Sequence, residues 1–129
     1  VPSTAAPSPS SYLDAFRLAS KVSNKVLCIT VSSNFSSSYK SAENAIAIAK
    51  IELPGIDIKL IDSESAAGSE GLVVLEAVKA ASMGDPIDKV YSAALKVIER
   101  VYLLAYLVLI ISLRIYPQDI REDARDSFL

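Results

Sequence analysis

Apolar positions recur along this chain in two rhythms, and the switches between them mark its elements. Tyr12, Leu13, Phe16 and Ala19 fall at helical spacing while Asp14, Arg17 and Lys21 fall elsewhere, which predicts a helix from a Ser10 or Ser11 cap to about Val22. Lys25 to Val31 is instead a short, continuously apolar run rich in β-branched side chains, the pattern of a parallel strand covered on both faces. Helical spacing returns with Ala42, Ala45, Ile46 and Ala49, predicting a second helix over about Ser37 to Lys50 that Pro54-Gly55 closes. Ile56, Ile58 and Leu60 then alternate with Asp57 and Lys59, so Ile56 to Ile61 reads as a second strand nearer an edge.

Beyond Asp62-Ser63 the pattern is helical again. Ala66 to Met83 is expected to form a third helix whose apolar face carries Leu72, Leu75 and Val78 with Lys79, stopped by Gly84. Asp85 as cap and Pro86 at the first helical position start a fourth, with the stripe Ile87, Val90, Ala94, Val97, Ile98 and Val101. The stripe thickens into VYLLAYLVLIISL, Val101 to Leu113. Thirteen residues fall short of the roughly 20 that a spanning helix needs, so no membrane span is expected. The segment reads as a buried helix or a helix turning into a strand. The tail 114–129 turns abruptly to charged residues and reads as a solvated end. The first eleven residues, with Pro2, Pro7 and Pro9, form an extended arm.

Strand, helix, strand in that order favours a right-handed parallel crossover, with a ligand crevice beyond the carboxyl ends of the strands. Both strand ends run into hydroxyl-rich turns. In the first, Ile29 to Ala42, an apolar strand breaks into Ser32, Ser33, Asn34, Phe35, Ser36, Ser37 and Ser38 before the helix begins. Hydroxyls and free backbone N–H groups collected at a helix start suit a ligand carrying negative charge, although the same serines are suited simply to capping.

Composition narrows the chemistry. With 129 residues there is room for one domain, and a net charge of -2 gives no basic footprint for nucleic acid. Histidine is absent, which removes the Ser-His-Asp triad and the usual nitrogen ligand of zinc. No metal or cofactor is implied. The single cysteine, Cys28, lies in an apolar run as a small core residue, consistent with a reducing cytoplasm. Beginning at Val1 without a signal-peptide pattern, the chain is expected to start partway through something longer.

Three stretches in order resemble the DegV family of bacterial fatty-acid-binding proteins. Pro2-Ser3-Thr4-Ala5-Ala6-Pro7-Ser8-Pro9 is similar to that family's Pro-Thr-Thr-Ser-Gln-Pro-Ser arm, and Ile29 to Tyr39 to its Ile-Ser-Ser-x-x-Ser-Gly-Thr-Tyr turn. Ile61-Asp62-Ser63-Glu64-Ser65-Ala66, followed by Gly68 and Gly71-Leu72, is similar to its Asp-Ser-x-x-Ala segment. The resemblance covers about Val1 to Leu107 and implies an α/β, parallel-sheet three-layer domain, truncated and without the family's first strand. It implies a partial DegV-like N-terminal domain over 1–113 and a divergent charged tail over 114–129.

The resemblance further implies a noncatalytic carrier of a long-chain fatty acid that presents it to a fatty acid kinase. The carboxylate would be held by hydroxyls of Ser3, Thr4, Ser32, Ser33 and Ser36, and the acyl chain by an apolar tunnel. Ala5 stands where the family has serine, Ala6 where it has glutamine and Ser37 where it has glycine. Loss of the resemblance past Leu107 suggests a frame change or an incomplete gene product. Two other readings stand beside the carrier. One is a vestigial domain that self-associates through Val101 to Leu113 without ligand. The other is an enzyme using the serine turn for phosphate and Asp62 for metal or acid-base work, disfavoured by the missing Walker-type lysine motif and histidine.

Overall fold

The computed structural model describes residues 5–101. Six elements follow one another: α1 Pro9–Ser20, β1 Lys25–Thr30, α2 Ser38–Glu52, β2 Asp57–Asp62, α3 Ala67–Ser82 and α4 Ile87–Ile98. β1 and β2 pair in parallel, from Lys25 opposite Asp57 to Thr30 opposite Asp62. The expected strands are therefore present, each displaced by about one residue at its ends, the usual uncertainty of element boundaries. The run Tyr102 to Leu113 and the tail 114–129 lie outside the described residues.

The solid apolar pattern of β1 is explained by its two covered faces. Val26 and Cys28, with Ile58 and Leu60 of β2, pack on Leu13, Phe16, Ala45, Ile46 and Ala49 of α1 and α2. Leu27 and Ile29, with Ile61, pack instead on Val73, Ala77 and Ala80 of α3 and Val90 and Ala94 of α4. Side chains of successive strand residues point to opposite faces, so a strand between two helical layers needs apolar residues at every position. The result is the expected three-layer α/β arrangement. Among the described residues β2 is at the edge of a two-stranded sheet, and its Lys59 is half-buried, its Nζ 2.8 Å from Asp88 Oδ1 and 5.4 Å from the Tyr91 ring centroid, tying β2 to α4.

Three sequence expectations need correction. α1 is capped by Ser8, whose Oγ accepts from the Ser11 N–H at 3.2 Å, rather than by Ser10 or Ser11. Pro9 opens the helix because a first-turn residue has no intrahelical use for an N–H and proline's fixed φ already suits the helix. At α4, Pro86 rather than Asp85 is the cap residue, its carbonyl accepting from the Lys89 and Val90 N–H groups at 2.8 and 3.1 Å. Asp85 instead lies 3.5 Å from Lys89 Nζ.

The third correction concerns α3. Its buried face is Val73, Ala77 and Ala80, whereas Leu72, Leu75 and Val78 are exposed by 52, 65 and 57%. α3 is apolar nearly all round, so its periodicity cannot select a face. Close approach to α4 selects the alanines, which meet the equally small Ala94. Gly84 ends the helix as expected, at φ +79, a conformation few other residues adopt without strain.

Burial of Cys28 against α1 and α2 pushes its thiol up from 9.0 to about 11. The unfolded chain thus releases this proton near pH 9 while the folded chain holds it. The stabilising contribution is complete below pH 9 and is lost as pH rises through about 11. In urea titrations, Cys28→Ala is expected to show a smaller fall in midpoint between pH 9 and 11 than the unaltered chain. Parallel slopes for the two would contradict this assignment.

Candidate functional site

β1 and β2 end side by side at Thr30 and Asp62, and their pairing continues into the loops beyond. The Ser63 N–H donates to the Thr30 carbonyl at 3.0 Å, and the Ser32 N–H donates to the Ser65 carbonyl at 2.7 Å. The serine turn and the Asp62–Ala67 loop are thereby zipped together at the carboxyl edge of the sheet, where a parallel crossover opens its crevice. Among the described residues, five buried hydroxyl side chains gather there: Thr30, Ser32, Ser38, Ser63 and Ser65.

Each residue of the turn has a distinct task. Ser32 is 1% exposed; its carbonyl accepts from the N–H groups of Phe35 and Ser36 at 3.0 and 3.1 Å, and its Oγ accepts from the Asn34 N–H at 3.2 Å. It therefore shapes the turn from inside. Ser33 is exposed, and its N–H donates to both carboxylate oxygens of Asp62 at 3.2 Å each. Asp62 Oδ1 also accepts from the Glu64 N–H at 2.9 Å, so one carboxylate clamps both loops.

Ser36 is half-buried. Its Oγ accepts from the Ser38 N–H at 3.2 Å and lies 2.8 Å from Ser38 Oγ, which makes it the hydroxyl at the start of α2. The cap residue proper, Ser37, makes no side-chain capping bond. α3 likewise begins without a side-chain cap at Ala66. The N-termini of α2 and α3 thus both follow loops at this edge and direct the positive ends of their dipoles toward it, an arrangement favourable to a negative group.

Of the sequence candidates, Ser32, Ser33 and Ser36 come together in this turn, while Ser3 and Thr4 lie outside the described residues. Ser38, Ser63 and Ser65 are not among the head-group candidates that the sequence offers. Serine density marks the region, but which hydroxyl turns inward depends on the pairing of two loops distant in sequence. Asp62 is engaged by backbone N–H groups, which accounts for an acid at a strand end without any acid-base role. Among the described residues no group of His, Cys, Asp and Glu is arranged to hold a metal ion, and no helix is long and apolar enough to cross a membrane.

An apolar groove beside β1 is lined by Leu27, Ile29, Val74, Ala77, Val78, Ala81 and Val90, with a volume of about 170 Å³. It is small beside the roughly 300–1,000 Å³ of typical ligand pockets. Among the described residues it is an open apolar groove rather than an enclosed cavity.

Two parallel strands between two helical layers, with a hydroxyl-rich turn at their carboxyl edge, define an α/β domain. The sequence profile of the DegV family matches residues 1–114, and the chain belongs to that family. A DegV domain-containing protein of Clostridium acetobutylicum is 30% identical over 100 residues, which are 78% of this chain and 34% of the relative. The structure of a DegV family protein from Thermus thermophilus, described for its fatty acid binding, superposes with a TM-score of 0.68 at 26% identity, over 76% of this chain and 33% of that one. The fatty acid kinase B3 protein of Streptococcus pneumoniae, solved loaded with linoleic acid, gives a TM-score of 0.66 at 30% identity, over 74% of this chain and 32% of that one. The chain spans about a third of the length of these relatives.

Proposed function

We propose that this chain carries the head-group end of a long-chain fatty-acid site and acts as a carrier without chemistry of its own. The observation that supports the reading is the serine turn that follows β1, the same strand whose Leu27 and Ile29 line the apolar groove. A carboxylate seated at Ser33 and Ser36 meets hydroxyls and helix-start N–H groups, with Ser32 setting the shape of the turn. Ser3 and Thr4 of the N-terminal arm complete the set of donors. The acyl chain follows the groove, where each buried methylene contributes about 0.8 kcal/mol, so affinity depends on how much of the chain is enclosed.

Fatty acid kinase is the partner this reading assigns, on the strength of the related Streptococcus pneumoniae protein. The cytoplasm is the compartment that suits it and the lone Cys28 thiol. The domain in this reading occupies 1–113, with 114–129 as a divergent tail. A second reading, self-association without ligand, draws on the exposed Leu72, Leu75 and Val78 of α3. Native mass spectrometry of the chain incubated with oleate separates the two. A monomer bearing the mass of one oleate is expected. Oligomers without added mass, under conditions in which a full-length relative retains oleate, would overturn the carrier reading in favour of the second.

A further inference from the structure

Ser65 lies in the Asp62–Ala67 loop with its side chain 3% exposed, and its Oγ is the one buried side-chain polar atom among the described residues that has no hydrogen-bond partner. Its neighbours use their hydroxyls: Ser63 Oγ donates to the Ser65 carbonyl at 3.2 Å and accepts from the Ser65 N–H at 3.3 Å. Ser32, on the facing turn, caps Asn34. Ser65 is thus fixed by its backbone on two sides, through Ser63 and through the Ser32 N–H, while its hydroxyl is left idle.

Two further costs are concentrated in the same loop. Glu64 and Ala67 hold φ of +50 and +53, the left-handed region that non-glycine residues rarely adopt. A buried hydroxyl without a partner and two strained residues within four positions are retained where something outside the loop compensates them. The loop adjoins the serine turn through the 2.7 Å bond from Ser32 to Ser65, and it leads into the uncapped start of α3.

We propose that Ser65 is a further head-group residue, its hydroxyl donating to the fatty-acid carboxylate when the ligand enters between the serine turn and the start of α3. The assignment rests on the carrier reading and adds to it a second strand-end loop as part of the site. Ligand binding then supplies the missing acceptor, and the loop is held in its strained form in readiness for it.

Ser65→Ala separates this role from a structural one, because the hydroxyl makes no internal bond to lose. Oleate affinity, measured by displacement of a fluorescent fatty acid, is expected to fall about tenfold. The melting temperature of the lipid-free protein is expected to stay unchanged or rise. Ser63→Ala, which breaks two bonds within the loop, is expected to lower that melting temperature. A Ser65→Ala protein that melts earlier without lipid would show that the hydroxyl is already satisfied, by a buried water for instance, and would overturn the assignment. Affinity lost on Ser36→Ala but kept on Ser65→Ala overturns it while leaving the carrier reading intact. Absence of oleate binding by the unaltered chain removes both.

Discussion

Ile61→Ala is expected to lower the unfolding free energy by about 2–5 kcal/mol, a large share of the roughly 5–15 kcal/mol that holds a domain folded. Ile61 is 2% exposed and sits in β2 against Val73, Ala77, Val90 and Ala94, so its removal leaves a cavity between the sheet and both helices of that layer. Neighbouring alanines have no side-chain length with which to refill the space, which places the cost toward the upper end of the range. Leu75→Ala on the exposed face of α3 is the matched comparison, expected to change stability by no more than about 0.5 kcal/mol. Urea unfolding followed by circular dichroism gives both values. Equal effects from the two substitutions would mean that α3 packs through Leu72, Leu75 and Val78 after all.

The second large effect is expected from Asp62→Ala. This substitution removes the acceptor shared by the Ser33 and Glu64 N–H groups and unties the serine turn from the Asp62–Ala67 loop. Hydrogen bonds to a charged acceptor contribute about 1.5–3 kcal/mol, and the partial exposure of these loops places the stability loss near the lower figure. Binding is expected to suffer more than stability, because the position of Ser36 depends on a turn that Asp62 helps to anchor. Oleate affinity should fall by about tenfold or more, with faster amide exchange at Ser33 and Glu64. Asp62→Asn retains an oxygen at the place of Oδ1, which serves both N–H groups, and is expected to lie between the two. Unchanged exchange at Ser33 in Asp62→Ala would show that the clamp does not hold the turn.

Much of this architecture was legible from hydrophobic pattern because the pattern has a single physical solution. The apolar run Val26 to Ile29 in β1 must be covered on both faces, and the chain supplies α1 and α2 for one and α3 and α4 for the other. α3 was legible as a helix but not in its orientation. Its leucines and valines signal burial as strongly as its alanines do, and only the proximity of α4 decides that the small residues go inside. Lys59 reads as a solvent-facing charge in an alternating strand, whereas here its stem is half-buried beside Tyr91 while its ammonium meets the exposed Asp88.

The site was legible as a place and less so as a set of roles. Serine density, a strand end and a following helix located the turn. That Ser32 works on the backbone, that Asp62 joins two loops and that Ser65 is enclosed without a partner all depend on the pairing of Thr30 with Asp62, a contact 32 positions apart in sequence. The resemblance to the DegV family supplied Ser3, Thr4, Ser32, Ser33 and Ser36, but it assigned no head-group role to Ser63 or Ser65 in the Asp62–Ala66 segment.

The two layers of the core also differ in when they can come into being. Among the described residues, the side chains of the α1–α2 layer and the strand residues beneath it all lie between Tyr12 and Leu60, so these partners are all present once β2 has been synthesised. The opposite layer needs α3 and α4, which follow it in the chain. A nascent chain paused after β2 therefore shows Leu27, Ile29 and Ile61 as a bare apolar face on an otherwise assembled unit. Until α3 and α4 emerge to cover it, that face is open to chaperones and to misassembly.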